Sequence, residues 1–371
     1  MPGPHKSLFV LVPLLSVLAT LGLAELGLAL LYPIPFAYEH DFYFEPDPHT
    51  GFRIGPFSEG IYKDGVRVRA NSRGHLDDEV TRQKSAGTYR ILMLGDSFTA
   101  GSGVRIEDAF PQRLERQLNR PGRARVEVVN TAVGGWNPFQ YAQYFEYYGR
   151  EFQPDLVMVA FFVGNDTYDE SLTLESLEKI VHFRRVRAQS MKNPLIGPMV
   201  FLHEHSHLAR LLLIGPGARG DWARRDCNDL MPEYVSLQRR VLYNFLRRTP
   251  ELEASALPNV KQMVRIRDLA ALDGAPLFVV LLPDENQTNP VLQAAVFGKN
   301  RRDAYDFEMP QSMLREMLSA ENIPTLDLLE AFRRDPECLY LNDTHWKPAG
   351  HARAADLIAA WLEASGVLPH A

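Results

Sequence analysis

Three side chains in this sequence have the types that a covalent relay needs. Ser97 lies in "RILMLGDSFTAGSGV", after the apolar run Ile91–Leu94 and the pair Gly95–Asp96. Asp343 and His345 lie two residues apart in "NDTHWKPAGH", near the other end of the chain. A hydroxyl can attack a carbonyl carbon if an imidazole takes its proton, and a carboxylate beside the imidazole fixes the tautomer. The attacked carbonyl oxygen becomes an oxyanion and needs donors aimed at it. The backbone N–H groups of Ser97 and Gly135 and the side-chain amide of Asn165 are the candidates. Gly135 stands in "NTAVGGWN" and Asn165 in "FFVGNDTYD". A glycine leaves its backbone open to close approach. The doubled Gly134–Gly135 offers two choices, and the spacing from Asn130 favours Gly135.

The neighbours have structural readings. Asp and Ser favour helix N-caps, so Ser97 can cap and still attack. Asp96 reads as a residue that holds the turn, and Gly95 as one that allows it. Asp166 reads as orienting its loop, and His351 as packing or capping in the last helix. Trp136 and Trp346 adjoin site residues and read as an active-site wall, with a sugar-stacking platform as the second reading.

The elements that must position these residues follow from hydrophobic pattern. Apolar β-type runs occur at Ile91–Leu94, Val126–Val129, Leu156–Val163 and Leu277–Leu282, with a weaker one at Ile323–Leu326. Helical patterns lie between them at Ala109–Asn119, Pro138–Arg150, Val260–Leu272, Gln311–Ala320 and Pro348–Ala364. Continuous apolar strands alternating with amphipathic helices predict an α/β fold, a parallel sheet covered on both faces. Sites in such folds lie beyond the carboxyl ends of the strands, which is where Ser97, Gly135 and Asn165 fall. Residues 34–88 form a lead-in rich in aromatics, Pro and Gly, and the main domain runs over 89–371. An insertion at 167–257 interrupts the alternation and reads as a cap over the site.

The first 33 residues are different. Ser7–Pro33 is apolar apart from Glu25, long enough to cross a bilayer as a helix, and preceded by His5 and Lys6 without an acid. It reads as an uncleaved anchor with the N-terminus cytoplasmic and the rest extracytoplasmic, periplasmic or extracellular. A cleaved signal peptide, with Gly22 and Ala24 before the cut, is the competing reading. The formal net charge of −6 is a poor match to nucleic acid. Cys227 and Cys338 are the two cysteines, and spacing leaves their pairing open. "HEHSH", with His203, Glu204, His205 and His207, has helical i,i+4 histidines but no further identifiable ligand, so no metal is expected there. The basic tracts at Arg184–Arg187 and Arg247–Arg248 read as solvated faces, with anionic lipid or polysaccharide as the other reading.

Together the blocks "GDSF", the glycine after the second strand, "GND" and "DTHW" resemble the SGNH, or GDSL-type, hydrolase family, in the family's order. Its four named residues correspond to Ser97, Gly135, Asn165 and His345, and its acid to Asp343. Phe98 stands where the family more often has Leu. The resemblance implies a flavodoxin-like three-layer αβα sandwich whose five-stranded parallel sheet has the order 2-1-3-4-5. It implies a serine esterase acting on an O-acyl ester of a carbohydrate or lipid through an acyl-enzyme, with no metal or organic cofactor. The anchor and lead-in look like a membrane-anchored bacterial subgroup. The "D-x-H-W" ending is similar to that of alginate O-acetyltransferase-like proteins, which makes transfer to a polysaccharide the alternative. A non-catalytic polysaccharide-binding scaffold is the second alternative.

Overall fold

The computed structural model describes residues 4–31, 44–61, 66–121, 124–168, 198, 201–202, 206–214, 229–297 and 302–369. The chain divides into two compact units. One comprises Met1–Glu39, Lys63–Gly65 and Glu178–Asp221, and the other His40–Tyr62, Val66–Leu177 and Trp222–Ala371. Part of the insertion therefore groups with the N-terminal segment. Cys227, the tract Arg184–Arg187, and His203, Glu204 and His205 lie outside the described residues.

In the first unit, α1 (Pro4–Leu31) is one apolar helix, and Leu11–Leu31 within it is long enough to cross a membrane as an anchor or to serve as a signal sequence. It carries no polar stripe for burial against a soluble core.

The second unit begins with two antiparallel pairs, β1 (Phe44–Asp47) with β2 (Gly51–Ile54) and β3 (Glu59–Ile61) with β4 (Arg67–Arg69). The parallel sheet follows: β5 (Thr88–Leu94), β6 (Arg125–Asn130), β7 (Leu156–Phe162), β8 (Leu277–Leu282) and β9 (Thr325–Asp327). Its order is β6-β5-β7-β8-β9, all parallel, which is the order 2-1-3-4-5 counted within the sheet. Ile91 lies opposite both Val128 and Leu156, so the first apolar run is an interior strand, paired on both sides.

Strand alternation sends one set of side chains to each face. Ile91, Met93, Met158 and Val280 share a buried cluster with Phe110 and Leu114 of α3 (Phe110–Leu118) and with Ile358 and Leu362 of α12 (Pro348–Ser365). The opposite layer contains α4 (Pro138–Tyr147) and α7 (Pro250–Leu272), which pack on each other. The helix expected from Val260 begins ten residues earlier, at Pro250. Thr249 caps it, and Pro258 is accommodated inside it. Arg248 pairs with Glu253 of that helix and with Glu316, so it has partners on its own surface.

The lead-in is tied to the sheet by polar bonds. Buried Asp77 accepts the Asn130 backbone N–H at 2.8 Å and the Gln112 amide at 3.0 Å. Burial pushes its carboxyl up to about 7. Gln140 donates to the Thr50 carbonyl at 2.9 Å, and the Trp136 indole donates to the Phe52 carbonyl at 3.0 Å. These bonds fasten the loop after β6, which holds Gly135, to the β1–β2 hairpin.

Candidate active site

Ser97 opens α2 (Ser97–Ala100), directly beyond the carboxyl end of β5. Asp96, rather than Ser97, is the N-cap, and its carboxylate accepts the Phe98 N–H at 2.9 Å. Gly95 is there because a Cβ would stand 2.1 Å from Thr99 Oγ1. The turn leaves Ser97 half-buried while its neighbours sink into the core.

His345 arrives from the loop before α12. Leu341 N–H donates to the His345 carbonyl at 2.7 Å and Lys347 N–H to the Leu339 carbonyl at 2.8 Å, pinching the loop into a narrow ribbon. The imidazole Nε2 lies 2.8 Å from Ser97 Oγ. Its Nδ1 lies 3.4 Å from Asp343 Oδ1, which also accepts the His345 backbone N–H at 3.1 Å. The longer contact is the kind that tightens when substrate binds. The sheet thus joins groups separated by 248 positions.

The three candidate donors have different surroundings. A Cβ on Gly134 would stand 3.6 Å from Ser97 Cβ, so the doubled glycine runs against the Ser97 side chain. Gly135 has φ +83°, a conformation glycine adopts without penalty. The exposed Asn165 side chain donates one amide hydrogen to Asp96 Oδ2 at 3.0 Å, which leaves its second hydrogen for another acceptor. Asp96 is fully buried, and burial raises its carboxyl above the ordinary range, partly offset by the Asn165 bond.

Asp166 is an internal brace. Its Oδ2 accepts from the Tyr141 hydroxyl at 2.9 Å and from the Phe162 N–H at 3.1 Å. Burial, reinforced by repulsion from Asp96, drives its carboxyl well above the usual value. His351 is also internal: its Nδ1 accepts the Phe110 N–H at 3.2 Å at the start of α3. Burial lowers that imidazole to about 3, so it stays neutral in the range where a base beside Ser97 would work.

The two tryptophans do not form a wall. Trp136 is 1% exposed and Trp346 0% exposed. Trp346 packs edge-on to Phe98 at 5.1 Å and against Phe332 at 4.8 Å, in the core beneath the serine turn. Each adjoins a site residue in sequence, but the chain direction turns its ring inward.

Residues 93–353 match the GDSL-like Lipase/Acylhydrolase family. The chain belongs to this family. Among solved structures it is similar to a lipase/acylhydrolase from Enterococcus faecalis, at 14% identity and TM-score 0.38, over 76% of this chain and 98% of that one. It is also similar to the acetyl xylan esterase AlAXEase, at 12% identity and TM-score 0.39, over 74% and 99%. A third is the psychrotrophic esterase EstA from Pseudoalteromonas sp., at 13% identity and TM-score 0.37, over 74% and 98%. No curated protein matches the chain.

This GDSL-like acylhydrolase carries one site feature that pattern reading missed. Thr344, between Asp343 and His345, has φ +87°. That is a strained conformation for a β-branched residue, and it persists only when its surroundings hold it. Gln238, on α6 (Pro232–Arg240) in the insertion and 1% exposed, donates to Thr344 Oγ1 at 2.6 Å. Asn286, on α8 (Glu285–Thr288) beyond β8, donates in turn to Gln238 Oε1. No sequence signal marks Gln238, because its role depends on a partner 106 positions away. Gln238→Leu is expected to lower kcat roughly 10- to 100-fold with little change in KM, as a mispositioned base would. Steady-state kinetics on a short-chain nitrophenyl ester checks this, and an unchanged kcat removes Gln238 as a positioning residue.

Proposed function

We propose that this chain is a serine esterase that cleaves an O-acyl ester through an acyl-enzyme. The observation that carries the reading is the 2.8 Å contact between His345 Nε2 and Ser97 Oγ, with Asp343 at the other imidazole nitrogen. In this reading Ser97 Oγ attacks the ester carbonyl carbon while His345 Nε2 takes its proton. Asp343 fixes the tautomer and stabilises the imidazolium. The Ser97 and Gly135 N–H groups and the free Asn165 hydrogen hold the oxyanion. His345 then passes its proton to the leaving alcohol oxygen as the C–O bond breaks. Water, activated by the same imidazole, attacks the acyl-enzyme and releases the acid and Ser97. Every step is met by side chains and backbone, without a metal or organic cofactor.

The apolar α1 is the membrane anchor in this reading. His5 and Lys6 remain cytoplasmic, and the hydrolase domain works outside the cytoplasm on an envelope or extracellular ester. A saccharide hydroxyl replacing water would make the same acyl-enzyme an O-acetyltransferase. Incubating the protein with nitrophenyl acetate, with and without an added oligosaccharide, tests both. Nitrophenol release with acetate as the product supports the esterase, and release with acetylated oligosaccharide as the main product replaces it by the transferase. Turnover should fall as the pH is lowered and His345 takes up a proton. A well-folded preparation that releases no nitrophenol and does not react with a serine-directed phosphonate overturns the catalytic reading.

A further inference from the structure

Glu25 is the only ionisable side chain within Leu11–Leu31 of α1. It stands six residues before Leu31, about 9 Å along the helix axis from that end. An ionised carboxylate at that depth of an apolar span is costly unless it is paired or hydrogen-bonded. Its partners come from one place, the start of α5 (His207–Ile214). Glu25 Oε1 accepts the His207 N–H at 2.6 Å, and Oε2 accepts the Leu208 N–H at 2.9 Å and the Ser206 hydroxyl at 2.7 Å. Ser206 Oγ in turn accepts the Ala209 N–H at 3.0 Å.

Helix N-termini leave their first N–H groups without intrahelical partners, and in water the solvent can supply them. Here the first three donors of α5 and both oxygens of Glu25 are satisfied by protein alone. Backbone within lipid must be satisfied in this way. The surroundings agree. Leu212 on α5 is 77% exposed, and Phe201 and Leu202 just before it are 53% and 52% exposed, beside a span whose own leucines are bare. At eight residues α5 is about 12 Å long, too short to cross the apolar layer but long enough to lie at its boundary.

We propose that α5 is a second membrane contact, an apolar helix that rests in the lipid boundary with its N-terminus tethered to the anchor through Glu25. The lipid bilayer is the partner of this face, and the insertion supplies the contact. The topology is consistent. With His5 and Lys6 on the cytoplasmic side, Glu25 sits towards the far interface, on the side where the rest of the chain emerges. This inference rests on reading α1 as a retained anchor.

The test uses the full chain in vesicles of phosphatidylcholine and phosphatidylglycerol, labelled without reductant at Leu212→Cys with an environment-sensitive fluorophore. Leu272→Cys, at the exposed end of α7, is the aqueous reference. The Leu212 probe is expected to shift to the blue, to be quenched by lipid carrying a doxyl group near the head of its acyl chain, and to resist iodide. The Leu272 probe is expected to do the opposite. In Glu25→Gln the Leu212 probe should move towards water while the protein still floats with the vesicles. A floating protein whose Leu212 probe is quenched by iodide like Leu272 overturns the proposal and leaves the anchor standing. A Leu212 probe unchanged by Glu25→Gln overturns the tether. Protein that does not float overturns the anchor and the proposal together. None of these outcomes depends on Ser97 chemistry.

Discussion

Ser97→Ala is expected to lose ester turnover by about ten-thousand-fold or more, while the protein unfolds at the same urea concentration as the parent. The size follows from how a relay fails. In the proposed relay, once the hydroxyl is gone His345 has nothing to deprotonate, and only the oxyanion donors and binding remain, so the loss is that of the whole unit. Stability is spared because Asp96 carries the N-cap and Phe98 the core contacts, and Ser97 is half-buried between them. Small changes at such positions stay within about 0.5 kcal/mol. Hydrolysis of nitrophenyl acetate, alongside urea unfolding followed by far-UV circular dichroism, reads both. Retained turnover in Ser97→Ala would remove Ser97 as the nucleophile.

Trp346→Ala, unlike Ser97→Ala, should destabilise the fold by about 3–5 kcal/mol, the usual cost of deleting a large buried aromatic. That is a large share of the roughly 5–15 kcal/mol that holds a domain together. The indole fills the space between Phe98, Phe332 and Phe110. A Cβ on Gly350 would stand 2.9 Å from Trp346 Cβ, so the first turn of α12 closes tightly over it. The cavity left behind would free Phe98, the residue after the serine, and turnover should fall along with stability. Urea unfolding decides the matter. A Trp346→Ala protein as stable as the parent, with only a raised KM, would return the tryptophan to the wall of the substrate site.

Trp346 also shows where sequence reading reaches its limit. Its position after His345 made it look like part of the site, because adjacency along the chain is all that a sequence displays. The loop is pinched between Leu341 and Lys347, and alternate side chains of such a ribbon point to opposite sides. His345 faces Ser97, so Trp346 faces the core. Trp136 is misread for the same reason, since its loop is drawn down onto the Phe52 carbonyl by the lead-in.

Local and periodic features were legible. Four of the five sheet strands fall on continuous apolar runs, because a parallel sheet covered on both faces needs apolar side chains in both directions. The weak fifth run is displaced towards its end, with β9 at Thr325–Asp327, a half-buried edge where the apolar requirement relaxes. The start of α7 was missed because the buried Ala256, Asn259 and Val260 that hold the helix together around Pro258 owe their burial to tertiary contacts.

By itself, the sequence determined the sheet, its order through the family resemblance, and the positions of Ser97, Gly135 and Asn165 beyond its strands. These follow from hydrophobic period and from residue types at short spacing, which are properties of the chain alone. Only the tertiary structure decided that Asp96 binds Asn165, that Asp166 binds Tyr141 and His351 the Phe110 N–H, and that Gln238 holds the strained Thr344. The same is true of Glu25, which a sequence shows as a lone charge in an apolar helix and the fold shows as the cap of another. Each of these bonds joins groups far apart in the chain, and a directional bond of about 3 Å exists only once packing has brought its two ends together.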